Sequence, residues 1–299
     1  LAANTIPNKI VVIAAMTAGS AFLMWIGEEI TEHGVGNGIS IVLLINIVSR
    51  IPDDFVTLFD QFMKGQTILN AVVAAVVIIA VVLVTVVFVI FLQDGERRIP
   101  VQYAKKMQGR KMVGGQSTNI PLKVNTAGVI PVIFASSLMS FPNVIASLLG
   151  KTGVTGIGSK IMTGLSQSSW CDPSRPIYSL GLVLYIVLVV FFAYFYTSIT
   201  FNPIEISNNM KRQGGFIPGI RPGKPTTEYL SRILNYIVFI GAVGLIIVCV
   251  IPIFFNGMFG ANVSFGGTSI IIIVGVVLET LKQIESQMLV RYYKGFLND

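Results

Sequence analysis

Apolar residues in this chain fall in long unbroken blocks, and polar residues gather in the connections between them. A membrane-crossing helix needs about 20 largely apolar residues. Five blocks read as spans: 10–26, 68–92, 127–149, 177–201 and 233–255. Two shorter blocks, 39–52 and 266–281, bring the prediction to seven transmembrane helices. The clearest block, ILNAVVAAVVIIAVVLVTVVFVIFL, is rich in valine. Only a helix satisfies such a backbone in lipid without a partner strand. The expected class is an all-α polytopic membrane protein.

Composition supports this pattern. Charged residues make up 12% of the 299 and hydrophobic residues 53%, where a soluble domain carries about 25% charged residues. The net charge of +7 would suggest nucleic acid in a soluble protein. Here the basic residues sit in connections, where membrane topology and anionic lipid account for most of them. The first residue is Leu1 rather than Met, no basic-then-apolar signal segment follows, and a fragment is one reading.

Positive charge also orients the spans. The connection 93–126 holds Arg97, Arg98, Lys105, Lys106, Arg110, Lys111 and Lys123. The connection 202–232 holds Lys211, Arg212, Arg221, Lys224 and Arg232, and the end of the chain adds Lys282, Arg291 and Lys294. With these on the cytosolic side, 15 of the 21 Lys and Arg are inside. The C-terminus is then cytosolic. The connection 27–38 resists, because it carries Glu28, Glu29 and Glu32 without a Lys or Arg. Acidic residues weigh little in topology.

Both long cytosolic loops have turn chemistry of their own. In the first, VQYAKK alternates as a short strand and MVGGQSTNIPL can return antiparallel, which predicts a hairpin standing off the membrane. The second holds FIPGIRPGKPTTEYL, in which Pro218, Gly219, Pro222, Gly223 and Pro225 frame Arg221. That frame excludes a regular helix or central strand and predicts a stiff projecting loop. Lipid attraction needs charge but no rigid shape, so the frame argues for a docking partner beyond topogenic charge.

The span 127–149 carries Pro131 and Pro142 with Ser136, Ser137 and Ser140. Two prolines weaken a helix ladder, and serines can restore bonds or reach neighbouring helices. Trp25 and Trp170 read as interface anchors. Cys171 lies in a loop and Cys249 in a span, so no disulfide framework is expected. Gly150-Lys151-Thr152 lacks the upstream glycine of a phosphate loop. His33, the single histidine, has no ligand partners in sequence. No cofactor, metal or catalytic residue is expected. Rival readings fail on missing chemistry. A retinal protein needs a lysine deep in a span, and the spans hold none. A coupled transporter wants a midplane charge, yet 68–92, 177–201 and 233–255 contain no Asp, Glu, Lys or Arg. An intramembrane protease needs a metal motif or an activated serine, and neither is present.

Four stretches carry a family resemblance: GEEITEHGVGNGISIV at 27–42, ERRIPVQYAKK at 96–106, QSTNIPLKVNTAGVIPVIFASS at 116–137 and GGFIPGIRPGKPT at 214–226. In order along the whole chain, they resemble the SecY/Sec61-alpha family, the protein-conducting channel of the bacterial Sec translocon. The resemblance implies ten helices in two inverted halves, of which this chain fits helices four to ten. Residues 1–52 would hold the last two helices of the N-terminal half, 53–67 an external loop, and 68–299 the five-helix C-terminal half with its cytosolic loops 93–126 and 202–232. Helices one to three, with the plug and one wall of the lateral gate, would lie outside this chain.

The function so implied is passive. Unfolded secretory polypeptides cross the bacterial cytoplasmic (inner) membrane, and membrane helices leave sideways into lipid. An aliphatic ring dewets when empty and yields around a moving chain. Ile39, Leu43, Ile133 and Ile272 are its candidates here. The resemblance assigns the gate wall to 127–149 and 177–201, with Asn125, Thr126, Ser136, Ser137 and Phe141 as gate residues. It implies SecE and SecG as companion subunits, signal sequences and nascent chains as cargo, and the SecA ATPase and the ribosome as drivers. These dock on Arg97, Arg98, Lys105, Lys106, Arg110, Lys111, Lys211, Arg212, Arg221 and Lys224.

Overall fold

The computed structural model describes residues 6–62, 68–103, 106–108, 111–113, 117–148, 157–171, 176–259 and 267–295. Ten α-helices among them are α1 (Ile6–His33), α2 (Gly38–Val48), α3 (Ile51–Phe62), α4 (Ile68–Asp94), α5 (Ile130–Leu148), α6 (Ile157–Leu165), α7 (Leu180–Thr200), α8 (Pro203–Arg212), α9 (Lys224–Phe259) and α10 (Gly267–Gly295). Five short strands are β1 (Glu96–Tyr103), β2 (Lys106–Gln108), β3 (Lys111–Val113), β4 (Ser117–Lys123) and β5 (Gly215–Phe216). The chain divides into two compact units, Leu1–Val56 with Ile272–Asp299, and Thr57–Ile271. The boundaries fall inside the continuous helices α3 and α10.

Six helices, α1, α4, α5, α7, α9 and α10, are long and apolar enough to cross a membrane among the described residues. The seventh expected span, 39–52, is divided between α2 and the first turn of α3. Its helix α2 has 11 residues, about 16 Å of rise. It stops because Pro52 has no N–H to offer the Val48 carbonyl, so the ladder breaks over Ser49 and Arg50 before α3 begins. Residues 53–62, expected within a loop, belong to α3; 63–67 lie outside the described residues. Pro142 stands inside α5, but Pro131 occupies its first turn, where a missing N–H costs nothing.

In the first unit α1 and α2 form a tight pair. The Thr31 hydroxyl donates to the Gly27 carbonyl at 2.8 Å and accepts from the Gly38 amide at 2.9 Å. A side chain at Gly38 would collide with the Gly27 backbone. Asn37 caps α2 by accepting from the Ile39 and Ser40 amides.

In the second unit α9 is the central post, with α4, α7 and α8 packed on it and α5 packed on α7. Within the apolar part, Ala193, Leu234, Val238 and Ala242 close the α7–α9 seam. Small residues at such a seam let helix backbones approach, the usual economy of packing in lipid. The expected hairpin is present: β1 and β4 pair antiparallel from Glu96↔Lys123 to Gln102↔Ser117. Trp170 is not an interface anchor. It is 0% exposed, its indole N–H donates to the Gly164 carbonyl at 2.7 Å, and its ring meets Tyr185 of α7.

Candidate functional site

The two basic loops form one body. β5, from the second loop, adds to β1 of the first through Gln102↔Phe216 and Tyr103↔Gly215. Alternation along β1 points Ile99 and Val101 inward. There they join Leu122 of β4, Met210 of α8, Ile217, and Leu230, Ile233 and Ile237 of α9 in a single hydrophobic core. α9 begins at Lys224, nine residues before the span expected from sequence, and this early stretch supplies the platform's floor.

Helix α8 follows from local rules. Pro203 cannot continue α7, and Asn202 caps the new helix by accepting from the Ile204 and Glu205 amides at 3.1 and 3.4 Å. Glu205 in the first turn and Lys211 and Arg212 in the last complement its dipole. Sequence reasoning took this region as loop, although Asn-Pro followed by an acidic residue is a helix-start signature.

The Arg221 loop is pinned at both sides and open at its tip. Gly219 and Gly223 adopt φ of +83° and +103°, a region that favours glycine. The Ile220 amide donates to the Ile217 carbonyl at 3.0 Å. The Thr226 hydroxyl donates to the Arg221 carbonyl at 2.9 Å, and the Ser207 hydroxyl of α8 to the Gly223 carbonyl at 3.0 Å. Ile217 and Thr226 are buried, while Pro218, Arg221, Pro222, Lys224 and Pro225 are exposed. The tip of the loop is therefore exposed and its flanks are hydrogen-bonded.

Arg97 and Arg98 point to opposite faces of β1. Arg98 donates to the Glu96 carboxylate at 2.6 Å. Arg97 shares the Ile99 face at the strand's exposed end and has no ion pair among the described residues. Lys211, Arg212 and Lys224 are exposed. Lys106 and Lys111 are placed by backbone alone, on β2 and β3. Lys105 and Arg110 lie outside the described residues.

The expected gate residues separate into two groups. Asn125 is buried in the α7–α9 seam: Gly241 leaves room for the Val124 carbonyl and the Asn125 backbone, and Thr197 and Ala242 line the same small cavity. Its side-chain amide nitrogen has no hydrogen-bond partner among the described residues. The Thr126 hydroxyl donates to the Lys123 carbonyl at 2.7 Å. On α5, Ser136 accepts from the Gln167 amide at 3.3 Å, while Ser137 and Phe141 are exposed. Of the pore candidates, Ile39 and Leu43 are exposed one turn apart on α2, and Ile272 is half-buried on α10; all three belong to the first unit. Ile133 is exposed on α5 of the second unit.

Six apolar helices and a structured basic platform outside them define a multi-pass membrane protein. The family model for SecY matches residues 2–281. The chain is 45% identical to the protein translocase subunit SecY of Mycobacterium leprae over 298 residues, 98% of this chain and 65% of that protein. It is 48% identical to that of Streptomyces galbus over 297 residues, 98% of this chain and 64% of that one. A solved protein-conducting channel has a similar fold, with a TM-score of 0.59 and 20% identity over 96% of this chain and 67% of that one. The chain belongs to the SecY family. It spans just under two thirds of the length of these two relatives.

Proposed function

We propose that this chain supplies pore wall, gate wall and docking face to a protein-conducting channel in the bacterial cytoplasmic membrane. The observation that carries this reading is the fusion of both basic loops into one sheet and core on α9, with Arg221 at its open tip. A motor needs a rigid place to push against. Loops built only to hold topogenic charge need no shared core. The loop's stiffness also lowers the entropy lost when a partner docks.

In this reading the platform faces the cytosol, and the C-terminus lies on the same side. Arg221 engages the SecA ATPase or the ribosome, its planar fork suiting carboxylates, carbonyls or phosphates. The channel performs no chemistry of its own. Ile39, Leu43, Ile133 and Ile272 form the apolar constriction. α5 and α7 are the wall that moves aside for signal sequences and membrane helices, with Ser136, Ser137 and Phe141 along it and Asn125 and Thr126 at its root. SecE, SecG and the helices that precede these in the family's channel complete the enclosure.

The test is Arg221→Glu in the complete channel, with SecA-dependent translocation of a secretory precursor and SecA binding measured together. Translocation and binding are lost while channel assembly stays intact. Unchanged translocation would remove Arg221 from the docking face.

A further inference from the structure

Helix α3 is inside out by the standard of a water-soluble protein. Phe55, Val56 and Phe59 are 54%, 61% and 55% exposed, whereas Asp54 is 9% exposed. Helical spacing gathers Pro52, Phe55, Val56 and Phe59 on one side and Asp53, Thr57, Asp60 and Gln61 on the other. Three large apolar side chains on one outward face call for an apolar cover.

The position of α3 along the chain says what that cover is. With 12 residues and three aspartates, about 18 Å long, it cannot cross a bilayer. The connection to α4 is five residues, 63–67, which reach at most about 20 Å. The apolar stretch Leu69–Asp94 has 26 residues, about 39 Å of helix, so its two ends lie at the two membrane surfaces. α3 is therefore held at the surface where α4 starts, opposite the surface where β1 emerges. Leu69, Val72 and Val73 in the first turns of α4 are likewise exposed.

We propose that α3 is an interfacial helix, lying in the headgroup layer with Phe55, Val56 and Phe59 sunk into the acyl boundary of the bilayer. The aspartate side is turned from the acyl chains, so attachment rests on apolar area and needs no anionic lipid. This inference requires only the membrane spans and is independent of any docking role for Arg221.

The experiment uses the complete channel in vesicles of zwitterionic phosphatidylcholine, with Cys171 and Cys249 replaced by alanine. A nitroxide is attached at Phe59→Cys or at Thr57→Cys, and its collisions with oxygen, which concentrates in lipid, and with a water-soluble nickel chelate are compared. The oxygen-to-nickel ratio at 59 is expected to be several-fold higher than at 57. Equal nickel access at both positions would overturn the proposal. So would a label at 59 reached by neither reagent, since a protein partner would then be the cover. Phe59→Trp, quenched by acyl-brominated phosphatidylcholine, tests the same point with an aromatic ring retained.

Discussion

The Ser207 hydroxyl donates to the Gly223 carbonyl at 3.0 Å, tying α8 to the far end of the Arg221 loop. Ser207 is buried and Gly223 holds a positive φ, and the same carbonyl also accepts from the Thr227 amide at 3.1 Å, so the bond to Ser207 is what ties this turn to α8. A hydrogen bond of this kind contributes about 1 kcal/mol net. Ser207→Ala is expected to speed amide exchange over residues 217–224 by about fivefold, the factor that 1 kcal/mol corresponds to. Exchange in β1 and β4 should stay unchanged, because their ladder does not involve Ser207.

Gly241 is the second fixed point, where α9 receives the chain returning from β4. A side chain there would meet the Val124 carbonyl and the Asn125 backbone, neither of which can swing away as a flexible side chain could. Gly241→Val is expected to destabilise the folded protein by about 1–3 kcal/mol through overpacking, seen as a lower midpoint in thermal unfolding in detergent. Asn125→Leu should behave differently. Its amide nitrogen is buried without a partner among the described residues, and replacing such an unpaired group by an apolar one of similar size is expected to be close to neutral or stabilising. An unfolding midpoint well below that of the unaltered protein would show that the amide has an acceptor.

Much of this architecture was legible in the residues. The long spans declare themselves because lipid leaves the backbone no alternative to helix. The hairpin was readable because VQYAKK alternates, and the Arg221 loop because prolines and glycines admit little else. What escaped reading is mostly non-local. Nothing near Asn125 announces that Gly241, far along the chain, will make room for it. The strand pairing of Phe216 with Gln102 involves two residues of β5, too few to leave a period. The break between α2 and α3 was different, since Pro52 signals it locally. The apolar count over 39–52 passed over that proline and so missed where the helix divides.

The two tryptophans separate packing from anchoring. Trp170 is 0% exposed and hydrogen-bonded to the Gly164 carbonyl, whereas Trp25 on α1 is 58% exposed. Trp170→Ala is expected to cost about 3–5 kcal/mol, the usual range for emptying a buried aromatic site. Trp25 meets the Phe22 ring on its own helix, so Trp25→Ala should cost no more than about 0.5–1.5 kcal/mol, the usual worth of an aromatic pair. Thermal unfolding of both variants under one detergent condition makes the comparison.

Neighbouring arginines should likewise give unequal effects. Arg98 is already paired with Glu96 across one residue of β1, and the pair occupies one face of the strand. Arg97 lies on the other face, beside the core-facing row and without an ion pair among the described residues. A partner approaching the platform therefore meets a partly neutralised charge at Arg98 and a full one at Arg97. On the docking role proposed for this platform, Arg97→Glu is expected to weaken SecA binding more than Arg98→Glu does. The gap should narrow as salt rises, since exposed charges separated by more than about 10 Å are screened at 0.1 M. Arg98→Glu also places two carboxylates side by side at positions 96 and 98, so Glu96→Gln in the same background isolates that repulsion. Equal losses for the two reversals, with or without Glu96, would mean that the strand's faces do not sort its charges for the partner.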